Sequence, residues 1–70
     1  MNQDEFTILN FLKGSPESYF ARREIARRAV KRTVYEESPH WADAPLGALV
    51  ARGLIEQSNE GLYKFKKDGY

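Results

Sequence analysis

Residues 43–65, DAPLGALVARGLIEQSNEGLYKF, read as helix, stop, strand, turn, strand. Ala42, Leu46, Leu49, Val50 and Gly53 recur at spacings of three and four, which lines one side of a helix. Gly53 follows Arg52, where a left-handed cap belongs, so the helix is predicted to end at Arg52. Beyond it, Leu54 and Ile55, then Leu62, Tyr63 and Phe65, form two runs of β-favouring residues. The polar loop Gln57-Ser58-Asn59-Glu60-Gly61 separates them, and the pair is predicted to be a β-hairpin hung directly on the helix.

Where this helix starts depends on Pro45. Ser38-Pro39 has the form of a cap and first position, but a helix from there carries Pro45 in its interior at a cost of about 3 kcal/mol. Asp43 as cap puts Pro45 in the first turn, where its missing N–H had no partner to lose. The shorter helix, 43–52, is preferred over a longer kinked one from Pro39. Trp41 then sits in the preceding turn, either closing the core beneath the helix, the preferred reading, or standing out as an aromatic anchor for a partner.

Working back along the chain, Asn2 can cap a first helix, Glu5 can complete a capping box, and Met1 can staple against Phe6. Phe6, Ile8, Leu9, Phe11 and Leu12 cover a wide arc, which predicts a helix gripped on more than one side. Gly14-Ser15-Pro16 ends it, glycine permitting a left-handed residue and proline refusing to continue. A second helix is predicted from about Arg22, with Ile25, Ala26, Ala29 and Val30 inward and Arg27, Arg28 and Lys31 outward; Arg23 and Arg32 lie on its flanks. Ala21 offers it no capping oxygen. The connection 33–40 is longer than a tight turn, and a second helix running on to Val34 absorbs part of it.

Leu46, Leu49 and Val50, then Arg52-Gly53-Leu54-Ile55-Glu56, then Gly61-Leu62-Tyr63 resemble the recognition helix and wing of winged helix-turn-helix domains, a family common among bacterial transcription regulators. With the two upstream helices the resemblance covers nearly the whole chain. It implies an α+β fold of three helices with a C-terminal β-hairpin wing. It also implies that Tyr19-Phe20-Ala21 forms a short strand before the second helix and pairs with the wing. The expected core is Phe6, Leu9, Leu12, Ile25, Ala29, Leu46, Leu49, Leu54 and Tyr63. The function it implies is duplex DNA binding in transcription regulation.

Seventy residues make one domain, 1–70, at a size where a single core is marginal. There is no cysteine, so neither disulfides nor a thiolate metal site can supplement that core, and association with another protein or a second copy of the chain is the other way to complete it. The N-terminus Met1-Asn2-Gln3-Asp4-Glu5 is acidic and polar where a signal peptide is basic and then apolar, and no apolar run approaches a bilayer span. The expectation is a soluble cytoplasmic protein.

Net charge is only +1, but it is unevenly placed. Arg22, Arg23, Arg27, Arg28, Lys31 and Arg32 face only Glu24 within residues 22–32, a local charge of +5, and the rest of the chain carries −4. Glu24 can pair with Arg27 and Arg28 across one helical turn, which would leave a partly solvated face in place of a phosphate-binding one. The candidate nucleic-acid-binding residues are Arg23, Arg27, Arg28 and Lys31, with Arg52 from the third helix and Asn59, Lys64, Lys66 and Lys67 from the hairpin. Glu56 and Glu60 oppose the hairpin cations.

The third helix is poor in residues that read bases. Its outward arc holds Ala44, Gly47, Ala48 and Ala51, and only Arg52 can contact a base edge bidentately. Small residues on an open face permit close approach of a DNA backbone or of another protein's helix, or serve only helix propensity. A protein-interaction module using these four residues is therefore the alternative function. His40 stands without a second histidine or a nucleophile–base pair, and Glu36 and Glu37 point apart on a helix or strand, so neither an enzyme, a metal site nor a cofactor is expected.

Overall fold

The computed structural model describes residues 1–66. Four helices, α1 (Gln3–Lys13), α2 (Arg22–Arg28), α3 (Arg32–Glu37) and α4 (Asp43–Ala51), accompany three strands, β1 (Phe20–Ala21), β2 (Ile55–Gln57) and β3 (Leu62–Phe65). The class is α+β, and the strands form one antiparallel sheet in the order β1-β3-β2. Lys67 lies outside the described residues.

The hairpin forms, but β2 starts at Ile55 and not at Leu54, and it takes in Gln57, which the sequence assigned to the loop. Ile55, Glu56 and Gln57 lie opposite Phe65, Lys64 and Tyr63, and Gly61 turns the loop with φ +81°. The aromatic stretch before α2 supplies the third strand, with Phe20 opposite Tyr63 and Ala21 opposite Leu62. Alternation along β3 buries Tyr63 and Phe65 and leaves Leu62 and Lys64 on the other face.

α4 starts at Asp43, which places Pro45 in the first turn, buried, and rules out the longer helix from Pro39. Asp43 is the first helical residue and not the cap; Ala42 occupies the cap position without a side-chain hydrogen bond. At the other end Gly53 is left-handed with φ +75°. Its N–H donates to the Val50 carbonyl at 3.0 Å and that of Leu54 to the Leu49 carbonyl at 3.1 Å, the paired bonds of a Schellman motif. This cap turns the chain from α4 into β2.

A fourth helix replaces the predicted long connection. The second helix does not run on to Val34: it ends at Arg28, Lys31 is extended (φ −65°, ψ 151°), and α3 begins at Arg32. Trp41 explains part of the break. Its indole N–H donates to the Ala26 carbonyl at 2.8 Å, satisfying one of the acceptors left open at the end of α2. Trp41 is half-buried and packs against the edge of the core, short of the buried position expected for it.

The core is shared by α1, α2, α4 and the sheet. Ile8, Leu12, Ile25, Leu46, Leu49 and Ile55 are its largest fully buried side chains, with Leu9, Phe20, Tyr63 and Phe65 around them. Three expected core residues are displaced: Ala29 and Leu54 are only half-buried at its edge, and Phe6 is 50% exposed. The buried stripe of α1 runs Glu5, Ile8, Leu9, Leu12, so Phe6 falls off its side. Asn2 caps α1 by accepting from the Glu5 N–H at 2.8 Å, but the capping box is half made. Glu5 is buried and its Oε1 has no hydrogen-bond partner among the described residues. Gly14 ends α1 in a right-handed conformation (φ −67°), so the expected left-handed cap is absent there and the stop falls to the following turn and Pro16.

Candidate nucleic-acid interface

The predicted cations divide into groups with different neighbours. Arg23 and Arg27, four residues apart and so on one side of α2, are exposed and form no ion pair among the described residues. Together with Arg22 and Ala26 they form one wall of a cleft of about 350 Å³, which Tyr35 of α3, Pro39, His40 and Asp43 complete. Asp43 organises the far side. One of its oxygens lies 3.4 Å from Arg22 Nε and the other 3.6 Å from His40 Nδ1.

Arg28 belongs elsewhere. It pairs with Glu24 Oε2 at 2.8 Å, and its guanidinium lies 5.7 Å from the ring centres of both Phe11 and Phe20. Those two rings are themselves 5.0 Å apart. Glu24 thus neutralises Arg28 and leaves Arg27 open, where the sequence allowed either. Lys31 is exposed but sits in the extended step before α3, so it does not continue the α2 stripe.

The hairpin cations separate as well. Lys64 is half-buried, 3.6 Å from Glu56 Oε1 on the neighbouring strand and 5.2 Å from the centre of the Tyr19 ring. Its charge is compensated in place. Asn59, in the hairpin loop, and Lys66, after β3, are exposed. Arg52 is exposed at the C-terminal end of α4, whereas the cleft touches the N-terminal end at Asp43. Nine steps of ~1.5 Å separate them by about 13 Å, so Arg52 and the α2 arginines beside Asp43 are distinct cationic points.

Along α4, Ala44, Gly47 and Ala51 are exposed, with open space where a Gly47 side chain would stand. Ala48 is half-buried and so is not a full member of the outward arc. Among the described residues no group of His, Cys, Asp and Glu side chains is placed to hold a metal ion, and no helix is long and apolar enough to cross a membrane.

Tyr35 and Pro39 carry no sequence signal for this site, Arg22 only its share in the basic run, and His40 stands isolated in the sequence. The His40–Asp43 spacing of three was a local signal for that contact, whereas Arg22 meets Asp43 only through the packing of α2 on the start of α4. The chain matches no protein-family model, and no curated protein and no solved structure is significantly similar to it.

Proposed function

We propose that this chain is a winged helix-turn-helix domain that binds duplex DNA, without catalytic activity, through phosphate contacts from α2, from Arg52 at the C-terminal end of α4 and from the hairpin. The observation that carries the reading is the pair of exposed guanidiniums of Arg23 and Arg27 beside the start of α4, which form no ion pair among the described residues. The order helix, strand, helix, helix, hairpin, with β1 pairing onto the hairpin, supports it as well. α3 is an insertion into the helix–helix connection of that arrangement.

Phosphate contacts position a protein without reading sequence, and α4 offers only Arg52 to a base edge. The expected binding is therefore largely independent of sequence and steeply dependent on salt. Replacing Arg23 and Arg27 together with alanine should weaken binding to all duplexes alike and flatten the salt dependence by about 0.9 in logarithmic slope for each phosphate no longer neutralised. Fluorescence anisotropy with two unrelated duplexes at several salt concentrations reads both quantities. An unchanged slope removes α2 from the interface.

A second reading has its own observation, the open face of Ala44, Gly47 and Ala51. On that reading the domain packs this face against another protein or a second copy. Ala51→Glu then disrupts that protein complex, whereas on the duplex reading it weakens DNA binding instead.

A further inference from the structure

The cleft between α2, α3 and the start of α4 has features that a flat phosphate-contacting surface does not need. It is concave, about 350 Å³, and walled on one side by Tyr35 and Pro39. That volume lies at the lower end of the range of small-molecule sites. Its lining holds Arg22, Arg23 and Arg27 against Asp43 alone, three cations and one anion, so with His40 neutral it carries an uncompensated charge of +2. Asp43 engages Arg22 and His40, leaving the guanidiniums of Arg23 and Arg27 without an internal partner among the described residues.

We infer that this cleft is a binding site for a phosphate monoester of a small molecule, clamped by Arg23 and Arg27, with its organic part against Tyr35 and Pro39. The chemistry selects that ligand in three ways. Guanidinium forks match phosphoryl oxygens bidentately and, one helical turn apart, reach a single tetrahedral group from two sides. A monoester carries nearly two negative charges at neutral pH, which matches the +2 of the lining, whereas a backbone diester carries one. The aromatic and proline wall gives a small organic group an apolar surface, which a bare ion would leave unused. Arg23 and Arg27 also carry the duplex contacts proposed above, so a bound monoester and a duplex exclude one another at these two residues.

Trp41 reports on the site. It is the only tryptophan, it adjoins His40, and its indole is bonded to the carbonyl of Ala26, and both of those residues line the cleft. The test titrates the full chain with inorganic phosphate, methyl phosphate and dimethyl phosphate at constant ionic strength, following Trp41 fluorescence and backbone amide shifts.

The expected result is a saturable response to methyl phosphate and inorganic phosphate, centred on Arg23, Arg27, Tyr35 and His40. Dimethyl phosphate should bind about tenfold more weakly, or ~1.4 kcal/mol less. Arg23→Gln with Arg27→Gln, both exposed positions, should abolish saturation, whereas Arg52→Gln should not alter it. An equal response to dimethyl phosphate would assign the site to backbone diesters and overturn the inference. So would shifts that never saturate and spread equally to Arg52 and Lys66, the behaviour of loosely held counterions. A double variant that keeps its fold by amide spectrum and still saturates would overturn it too.

Discussion

Gly47 and Gly53 make opposite demands on the same helix. Gly53 closes α4 in the left-handed region at φ +75°, where a side chain is strained even though open space surrounds it. Gly47 lies inside α4, also in open space, but without that conformational demand. Gly53→Ala should therefore cost about 1–2 kcal/mol. Gly47→Ala should gain about 0.5–1 kcal/mol by restricting the unfolded chain. Urea midpoints at unchanged slope measure both, and a stabilising Gly53→Ala would refute the Schellman assignment. Gly53 was legible because a glycine after the last basic residue of a periodic run has one common use. Arg28 was not, because its place over Phe11 and Phe20 depends on two side chains brought together from α1 and β1.

At the scale of elements, punctuation decided what could be read. The start of α1, both ends of α4 and the hairpin carry local signals: Asn2, Pro45, Gly53 and Gly61. The break between α2 and α3 carries none, because residues 29–33, Ala-Val-Lys-Arg-Thr, contain neither glycine nor proline. A tertiary bond from Trp41 to Ala26 stands where helix continuation would have supplied the donor. α2 and α3 also lack side-chain caps, their cap positions being Ala21 and Lys31, both extended. Ala21 is exposed, so Ala21→Ser adds a capping oxygen without disturbing the core. It should stabilise the fold by about 1 kcal/mol, read as a raised thermal midpoint. No gain would mean that the start of α2 is fixed by the pairing of Ala21 with Leu62 alone.

For the molecule as a whole, a small core makes each buried side chain expensive to lose. Leu46 is fully buried, and Leu46→Ala should cost about 2–5 kcal/mol. That is a large share of the ~4–10 kcal/mol available to a domain of this length. Circular dichroism of the variant at 37 °C should show substantial unfolding; a midpoint within a few degrees of the parent would contradict the core assignment. The face of α1 was the least legible part of that core. Five apolar residues between Phe6 and Leu12 identify a helix that is gripped, but only the positions of α4 and β3 select Ile8 over Phe6. The cleft was only partly legible: Arg23 and Arg27 lie one helical turn apart, but the sequence reading grouped Arg27 with Arg28 and Lys31 and left Arg23 on the flank. Tyr35 and Asp43 reach it only through the unforeseen α3 and the start of α4.

Amide-shift mapping with a nonspecific duplex at low and moderate salt reads out duplex binding through the α2 side residue by residue. Shifts should concentrate at Arg23 and Arg27, along Ala44, Gly47 and Ala51 to Arg52, and at Asn59 in the hairpin loop, and they should shrink as salt rises. A spectrum unchanged by duplex at low salt would contradict duplex binding, as would shifts confined to α1 around the exposed Phe6.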